Sequence, residues 1–390
     1  MINLSKRIIP GQTIGIIGGG QLGRMMAIAA KEMGYRVAVL EPAKDSPCAQ
    51  VSDIEIVAPY SDLDAAKKLA EVSDVITYEF ENVDHVVLGW LEENAYLPQG
   101  SELIKITQDR ANEKKAIVES GAEVAPYVLV NNIEDLKSGL EKLGMPSVLK
   151  TCRGGYDGKG QAVIKNLIDI KEAEKLLSHG QCVLEKWLSF QKEISVIVTR
   201  NVSGEVSTFP VAENIHVDNI LSQTIVPARI DDHIAKKATD KAINLAKSIN
   251  MVGTLAVEMF LTTDGDIFIN ELAPRPHNSG HYTLNACETS QFEQHIRAVC
   301  DWPLGKPDLL KPVVMANILG EHVQPVLDQI DQFSDCKLHL YGKAEAKVKR
   351  KMGHLNILAD TVEEALEKYE ALNIWNNSVG EKEEVGNTSN

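Results

Sequence analysis

Apolar segments alternate with amphipathic ones along the first part of the chain. TIGIIG from Thr13 and RVAVLEP from Arg36 are predicted strands, and so are DIEIVAP and DVITYEF further along. Helical spacing of apolar positions follows the first glycine turn as far as Met33, and it recurs over DLDAAKKLAEVS and DRANEKKAIVESG. Strands that alternate with helices in this way are typical of βαβ units around a parallel sheet.

From about Ala125 the pattern changes to short strands and hairpins. The apolar runs PSVLK, QAVIK, CVLEKWL, EISVIVTR and EVSTFPV are bounded by turn residues. An amphipathic helix is predicted from Asp231 to Ile249, and it leads into two strands joined by a predicted two-residue turn at Asp264–Gly265. KPVVMANIL, KLHLYGK and HLNILA then predict a small β-rich C-terminal region. The polar residues that end the chain are predicted to be disordered.

Composition and charge narrow the classes of function. The chain has 390 residues, 44% of them hydrophobic, and a formal net charge of −15. This acidic balance argues against a nucleic-acid-binding protein, whose footprint is basic, and any anionic substrate must be captured by a local cationic cluster. Six scattered cysteines without a C-x-x-C pair favour a reducing, cytoplasmic setting. No signal peptide and no apolar run of membrane-spanning length is present, so no membrane association is expected.

A glycine loop near the N-terminus raises the first functional hypothesis. Gly18, Gly20 and Gly23 form G-x-G-x-x-G between a predicted strand and helix, and the next strand ends in the acidic residue Glu41. This pattern is the fingerprint of a dinucleotide site, in which the helix N-terminus holds a pyrophosphate. The same turn can equally hold another phosphate or none, and nothing further along resembles a dehydrogenase.

A second glycine-rich segment predicts a polyphosphate site. Lys150 ends a strand, and a loop with glycines at 154, 155, 158 and 160 leads to another strand. This arrangement lacks the helix and the G-K-[ST] ending of a Walker loop. A glycine hairpin can still fold its N–H groups over phosphates, with Lys150 and Lys159 adding positive charge. The alternative is a mobile surface hairpin.

Two carboxylates on neighbouring predicted strands indicate a metal site. Glu258 and Glu271 lie on either side of the Asp264–Gly265 turn, with Asn270 beside the second. Burying such a pair is costly unless something neutralises it, and Mg²⁺ that bridges nucleotide phosphates is the natural partner. The alternative is a pair of acids that faces solvent. The segment Glu185–Leu188 could meet an adenine edge through its backbone, and Glu193 could accept from ribose hydroxyls.

Taken in order, these motifs resemble the ATP-grasp superfamily, and within it the N5-carboxyaminoimidazole ribonucleotide synthetase family. GGGQLGRMM, TYEFENV, GGYDGKGQ, NELAPRPHNSGH and GHLNIL occur in that family's order between about Gly15 and Leu358. GYDGKGQ and PRPHNSGH are the specific ones. The glycine loop alone is not.

The resemblance implies a fold of α/β and α+β character and a division into parts. An N-terminal Rossmann-like βαβ domain is expected over 1–105, and an ATP-grasp domain over 106–310 with a glycine-loop lid at about 125–190. A small C-terminal β-rich domain is expected over 311–375, followed by the tail 376–390.

The resemblance also implies an activity. ATP would phosphorylate bicarbonate to carboxyphosphate, and this intermediate or the CO₂ it releases would carboxylate 5-aminoimidazole ribonucleotide in purine biosynthesis. ATP and Mg²⁺ are the implied cofactors, and a homodimer is the implied assembly. The first glycine loop would then lie at the phosphate of the ribonucleotide rather than at NAD.

The resemblance carries site residues over to this chain by motif. Glu258 and Glu271 would bind the metal. The nucleotide site would comprise Arg110, Lys150, Gly155, Tyr156, Asp157, Gly158, Lys159, Gly160, Gln161, Glu185, Lys186, Trp187, Leu188, Glu193, His216, Asn270 and Glu271. The ribonucleotide site would comprise Gly20, Gln21, Leu22, Glu79, Tyr156, Asp157, Lys159, Arg275, His277, Asn278, Lys343, Arg350 and Lys351. No catalytic base is assigned.

Other enzymes and one non-enzyme remain as alternatives. A formate-dependent glycinamide ribonucleotide transformylase shares the scaffold and would also phosphorylate a one-carbon acid. A biotin-dependent carboxylase is disfavoured because the chain offers no carrier segment of its own. A non-catalytic ATP-binding protein is the alternative from a different class, and the Glu258/Glu271 pair with Lys150 argues against it.

Overall fold

The structure, a computed structural model, describes residues 6–155 and 160–375 of the chain. Its N-terminal part is a four-stranded parallel sheet with the strand order β3–β2–β1–β4. The strands are β1 Thr13–Ile17, β2 Arg36–Glu41, β3 Ile54–Val57 and β4 Val75–Tyr78. The helices are α1 Gln21–Glu32, α2 Leu63–Val72 and α3 His85–Asn94. Every residue of β1 is buried, because separate apolar clusters cover the two faces of the sheet.

Two helices lead from this sheet to a smaller antiparallel one. They are α4 Glu102–Thr107 and α5 Arg110–Glu119. The small sheet has the order β5–β8–β6–β7, with β5 Tyr127–Val130, β6 Ser147–Thr151, β7 Gln161–Ile164 and β8 Cys182–Lys186. Two helices accompany it, α6 Ile133–Leu143 and α7 Ile170–Ala173. The strand–loop–strand prediction for the glycine hairpin is therefore confirmed, whereas the sequence analysis missed α6.

The largest sheet is antiparallel and has nine strands. Its order is β14–β13–β9–β11–β12–β15–β17–β16, with β10 paired to β9. The strands are β9 Lys192–Arg200, β10 Val206–Thr208, β11 Ala212–Val217, β12 Ile220–Val226, β13 Gly253–Leu261, β14 Ile267–Ala273, β15 Val313–Leu319, β16 Cys336–Leu340 and β17 Lys351–Leu358. The helices of this region are α8 Asp232–Ser248, α9 Thr283–Ala286, α10 Gln291–Val299, α11 Val323–Asp328 and α12 Val362–Leu372. The predicted helix α8 is confirmed, with Asp231 at its N-cap and Ile249 at its C-cap.

The turn between β13 and β14 differs from the prediction. The N–H of Thr262 donates to the carbonyl of Asp266 at 2.9 Å, so three residues rather than two lie between the closing pair. Gly265 adopts a φ of +81° in this turn. A three-residue hairpin loop needs a residue of positive φ near its end, and glycine is the residue that adopts it without strain. The two-residue prediction was wrong because the D-G pair is common to both loop types.

The C-terminal strands continue the large sheet rather than forming a separate one. Strand β15 pairs with β12, and β17 pairs with β15. Helix α12, which the sequence analysis missed, packs on this end of the sheet. Tyr341, just after β16, joins the apolar cluster of the N-terminal sheet and α10. The N-terminal, central and C-terminal parts of the chain therefore meet around α1 and α10.

Neutral histidines are buried at this junction. The rings of His281 and His354 lie 4.8 Å apart, and those of His339 and His354 lie 4.6 Å apart. The Tyr341 hydroxyl lies 2.9 Å from Nδ1 of His354. Burial holds the pKa of His281 and of His354 well below the usual histidine range. These histidines are therefore uncharged in the folded protein at neutral pH.

The described residues show no helix with both the length and the apolar character that a membrane crossing requires. All six cysteines are free thiols, as predicted.

The buried His354 predicts how stability depends on pH. Its folded pKa is depressed, so below the unfolded value of about 6.5 the unfolded chain binds the extra proton and the free energy of unfolding falls. We expect His354→Gln to remove up to about 1.4 kcal/mol per pH unit from this dependence between pH 6.5 and 5. Urea unfolding at pH 7 and pH 5 measures it. The exposed His179→Gln is the control, and an unchanged pH dependence in His354→Gln would contradict the assignment.

Candidate active site

A pair of facing glutamates forms the centre of the site. Glu258 on β13 lies directly opposite Glu271 on β14, and the ladder is irregular just beyond Glu258, which leaves Asn270 unpaired. Burial first, and then the charge of Glu271, raises the pKa of Glu258 to about 7. Two carboxylates held side by side repel each other, so this arrangement is stable with a cation or a proton between them.

Helix α5 brings further charge to this pair. Nη1 of Arg110 lies 3.5 Å from Oε2 of Glu271. Glu113, one turn later and 2% exposed, accepts the N–H of Leu272 at 2.7 Å. Burial, and then the charge of Glu271, raises the pKa of Glu113 to about 8. The helix thus supplies a cation for Glu271 and fixes the backbone of β14 beside it.

A buried carboxylate lies between two lysines on the other side of the site. Glu185 of β8 is 3% exposed, and its two oxygens lie 3.1 Å from Nζ of Lys114 and 3.0 Å from Nζ of Lys150. Burial acts to raise the pKa of Glu185, but the charges of Lys150 and Lys114 outweigh it and the pKa is lowered. Two lysines on one carboxylate leave an excess positive charge. An anion such as a nucleotide phosphate would balance it.

A connector follows Glu185 at the end of β8 and leads to β9, which begins at Lys192. Lys186 and Trp187 are exposed and Leu188 is half-buried. Nδ1 of His216 lies 2.8 Å from Oε2 of Glu193. Burial acts to lower the pKa of His216, but the Glu193 carboxylate raises it overall. Glu193 and His216 therefore form a contact that is an ion pair when the His216 ring is protonated.

The glycine hairpin is only partly described. Gly155 and Gly160 flank its tip, and Gln161 begins β7 opposite Lys150. Gly160 has a φ of +72°, and a Cβ there would lie 2.7 Å from Oγ1 of Thr151. The predicted site residues Tyr156, Asp157, Gly158 and Lys159 lie outside the described residues.

The N-terminal glycine loop is occupied by the protein's own carboxylates. Glu79, at the end of β4, accepts the N–H groups of Gly20 and Gly23, and Glu41 accepts the N–H of Gly19 at 2.7 Å. A Cβ at Gly20 would lie 2.7 Å from Oε1 of Glu79, so this approach requires glycine. Burial raises the pKa of Glu79, and the two N–H bonds oppose that shift.

This geometry gives a physical reason why the dinucleotide fingerprint is misleading. The acid that would hold an NAD ribose, Glu41, is turned onto the loop and also accepts the hydroxyl of Tyr60. Gln21 and Leu22 open α1 directly after the loop. Of the loop's N–H groups, those of Gly19, Gly20 and Gly23 face carboxylates rather than a free anion site.

The segment after β14 lies between the glutamate pair and the glycine loop. Nη2 of Arg275 lies 2.7 Å from Oε1 of Glu81, which follows β4. Nε2 of His277 lies 3.4 Å from Oε1 of Glu258. Burial, and then the charge of Arg275, holds the pKa of His277 well below its usual range. Asn278 exchanges two amide hydrogen bonds with Asn317, so its amide nitrogen and its amide oxygen each have one partner within the protein.

Three cations lie in the connection between β16 and β17 or at the start of β17. Lys343 donates to the carbonyl of Lys351 at 2.7 Å, and burial followed by the charge of Arg350 lowers the pKa of Lys343 to about 8. Arg350 is exposed and donates to the carbonyl of Glu345 at 2.9 Å. The charge of Lys351 acts to lower the pKa of Glu258 and that of His277, so Lys351 lies on the side of the glutamate pair. Lys343 is instead within electrostatic reach of Glu79.

Contacts in the structure join Arg110 to Glu271, Lys150 to Glu185 and His277 to Glu258. The structure also adds residues that sequence reasoning missed. Glu113 and Lys114 follow Arg110 at the spacings i+3 and i+4, so helical periodicity could have identified them. No sequence pattern marks Glu81 or Tyr60, because their partners, Arg275 and Glu41, come close only in the folded chain.

Comparisons with known proteins cover nearly the whole chain. Family models match for the ribonucleotide synthetase preATP-grasp domain at residues 11–108 and for the ATP-grasp domain at residues 115–292. The phosphoribosylaminoimidazole carboxylase C-terminal domain matches residues 313–368.

Individual relatives agree with the family models. The N5-carboxyaminoimidazole ribonucleotide synthase of Bacillus subtilis (strain 168) is 60% identical over 378 residues, which is 97% of this chain and 99% of the relative. A solved ADP complex of an N5-carboxyaminoimidazole ribonucleotide synthetase superposes with a TM-score of 0.94 at 63% identity, covering 96% of this chain and 99% of that one. The Aspergillus clavatus enzyme, solved with ADP and 5-aminoimidazole ribonucleotide, has a TM-score of 0.88 at 32% identity and covers 94% of this chain and 99% of that one.

The fold and the site define an ATP-grasp ligase, with a preATP-grasp domain before the nucleotide-binding domain. Its C-terminal domain and its close relatives narrow this class further. The chain belongs to the N5-carboxyaminoimidazole ribonucleotide synthase family, whose members act in purine biosynthesis.

The lysine–glutamate–lysine cluster predicts a large effect on stability. Glu185→Gln leaves Lys114 and Lys150 facing each other in a buried site, so we expect the free energy of unfolding to fall by about 3–5 kcal/mol. Urea unfolding at pH 7 measures this change. Glu172→Gln removes an exposed partner of Lys175 and should change stability by less than about 0.5 kcal/mol. A loss below about 1 kcal/mol in Glu185→Gln would contradict the buried-charge account.

Proposed function

We propose that the chain uses ATP to carboxylate the exocyclic amine of 5-aminoimidazole ribonucleotide with bicarbonate. The observation that carries this proposal is the position of His277, which lies 3.4 Å from the Glu258 carboxylate on the segment that also carries Arg275. A single short segment therefore spans from the glutamate pair to the N-terminal glycine loop. Two substrates bound at these two places would present their reacting groups to each other.

The nucleotide half of the proposal uses residues from both antiparallel sheets. Lys150 and Arg110 would face the phosphates, since each is a cation beside a carboxylate, Glu185 for Lys150 and Glu271 for Arg110. The segment from Glu185 to Leu188 would meet the adenine, and Glu193 with His216 would meet the ribose. The remaining proposed contacts are Gly155, Tyr156, Asp157, Gly158, Lys159, Gly160, Gln161, Asn270 and Glu271.

The donor set fits Mg²⁺. Glu258 and Glu271 are paired in register, and no group of three or more His, Cys, Asp or Glu side chains able to hold a metal occurs among residues 6–155 and 160–375. Two carboxylates suit an ion that completes its shell with phosphate oxygens and water. When bound, Mg²⁺ would neutralise charge on the transferring phosphoryl group.

The proposed ribonucleotide site lies where the N-terminal, central and C-terminal parts of the chain meet. Lys343, Arg350 and Lys351 would draw in its phosphate beside the loop residues Gly20, Gln21 and Leu22. Because the N–H of Gly20 already binds Glu79, Gly20 would allow close approach of the phosphate and would not donate to it. The base and the bicarbonate would lie nearer Glu79, Arg275, His277, Asn278, Tyr156, Asp157 and Lys159. This local cationic patch is what an acidic chain needs to capture an anionic substrate.

The proposed chemistry proceeds in two displacements. A bicarbonate oxygen attacks the γ-phosphorus of ATP, and ADP leaves with the electrons of the broken bond. The amine of the ribonucleotide then attacks the carboxyl carbon, and inorganic phosphate leaves. The released phosphate or a bicarbonate can take the amine proton, so no side chain is assigned as base. Carboxyphosphate hydrolyses readily, so the glycine hairpin is proposed to exclude water from it.

The assembly, location and domain bounds remain part of the proposal. A homodimer and a cytoplasmic location rest on the family resemblance. The proposed bounds are 1–105 for the N-terminal domain, 106–310 for the ATP-grasp domain and 311–375 for the C-terminal domain. The lid within the second is proposed at about 125–190, and the tail at 376–390 lies outside the described residues.

Substrate omission tests the proposed reaction. Purified protein with Mg²⁺-ATP, bicarbonate and aminoimidazole ribonucleotide should release ADP, and release should fall when the ribonucleotide or the bicarbonate is left out. A parallel assay with formate and glycinamide ribonucleotide should show no release. Activity only in the second assay would assign a transformylase, and no release in either would indicate a non-catalytic nucleotide-binding protein.

Replacing the paired glutamates tests the metal assignment. Glu258→Gln and Glu271→Gln each remove one negative charge from the proposed Mg²⁺ site, so we expect ADP formation to fall at least about 100-fold in each. Binding of Mn²⁺-ADP, followed by the magnetic resonance signal of the metal, should weaken in parallel. Glu288→Gln, at an exposed position, is the matched control. Turnover close to that of the unaltered protein in Glu271→Gln would disprove the assignment.

A further inference from the structure

A chain of buried hydrogen bonds joins the N-terminal sheet to the segment after β14. Oγ1 of Thr77 on β4 lies 2.7 Å from Nε2 of His295 on α10, and it also contacts Oε1 of Gln99. Nε2 of Gln99 donates to the carbonyl of Pro274 at 3.5 Å. Thr77 and His295 are 0% exposed and Gln99 is 6% exposed. Water therefore cannot take over these bonds, and each must be made within the protein.

One backbone N–H group determines which atom donates in each of these hydrogen bonds. The N–H of Thr254 donates to Nδ1 of His295 at 3.1 Å, so Nδ1 must be the unprotonated nitrogen. Nε2–H of His295 then donates to Thr77, the Thr77 hydroxyl donates to Gln99, and the Gln99 amide donates to Pro274. Burial lowers the pKa of His295 to about 3, so the ring stays neutral. Every link then has one donor and one acceptor.

Helix α10 also holds the segment after β14, through Gln291, which lies one turn before His295. Gln291 accepts the N–H of His277 at 2.9 Å and donates to the carbonyl of His277 at 2.8 Å. Gln291 and His295 are four residues apart, so they lie on the same face of α10. Helix α10 also packs on α1 through Phe292, Ile296 and Val299.

We propose that His295 and Gln291 are positioning residues for the ribonucleotide site. Through Thr77, His295 holds β4, the strand that leads to Glu79. Through Thr77 and Gln99 it is also linked to Pro274, the residue before Arg275. Gln291 holds the backbone of His277. The helix thereby sets the spacing between the glycine loop and the segment that carries Arg275 and His277. This inference rests on the proposed ribonucleotide site and assigns no contact between these residues and a substrate.

Replacing Thr77 by a residue of nearly the same shape tests this series of hydrogen bonds. Thr77→Val keeps the shape of the side chain and removes the hydroxyl, so we expect the KM for aminoimidazole ribonucleotide to rise about 10-fold or more, with the KM for ATP changed less than about twofold. Thr77→Ser restores the hydroxyl and should restore most of the lost affinity. A general loosening of the fold would not separate the two substrates in this way.

Two further variants keep the test decisive. Thr199→Val removes a buried hydroxyl that pairs with the hydroxyl of Thr254 and leaves the backbone N–H of Thr254 on His295, so it should leave both KM values unchanged. If Thr77→Val does not fold, Gln99→Met removes the bond from Thr77 and the bond to Pro274, keeps the contact between Thr77 and His295, and should give the same selective rise.

The outcomes separate the two levels of inference. Absence of ribonucleotide-dependent ADP release in the unaltered protein would overturn the proposed function itself. With that activity present, an unchanged KM for the ribonucleotide in Thr77→Val, an equal rise for both substrates, or no recovery in Thr77→Ser would overturn the positioning role.

Discussion

The need to stabilise buried carboxylates governs the arrangement of this molecule. A carboxylate removed from water must find hydrogen-bond donors, cations or a proton, and each buried glutamate here has a different solution. Glu79 is bound by backbone N–H groups of a glycine loop, and Glu185 by two lysines. Glu113 accepts a backbone N–H from β14. The facing pair Glu258 and Glu271 is more accessible, and its members contact His277 and Arg110 respectively. Two adjacent carboxylates that solvent can reach suit a divalent cation.

These solutions come from different parts of the chain, and they tie those parts together. Glu185 belongs to the small sheet, whereas Lys114 belongs to the helix that precedes it. Glu79 ends the N-terminal sheet, and Arg275, after β14, reaches back to Glu81 beside it. Each ionic contact therefore crosses a boundary between elements, so the charges that would serve catalysis also orient the sheets. The same charged side chains therefore hold the sheets in place and line the proposed active site.

Apolar packing supplies what the polar contacts need, which is exclusion of water. Helix α10 combines both roles, since Phe292, Ile296 and Val299 pack on the N-terminal part while Gln291 and His295 make buried hydrogen bonds. A hydrogen bond in such surroundings has no competing solvent, so its geometry is enforced strongly. The junction of three chain regions is for this reason a suitable place to hold a small substrate in one orientation.

The sequence by itself determined the local elements and the identity of the motifs. The apolar run of β1, the amphipathic α8 and the acids Glu258 and Glu271 follow from periodicity and spacing, because these are properties of neighbouring residues. Tertiary structure alone decided that Glu41 turns onto the glycine loop, that Lys114 shares Glu185 with Lys150, and that the C-terminal strands extend the central sheet. Such contacts join residues far apart in the chain, and no local pattern specifies which distant partner a buried charge or an open strand edge will find.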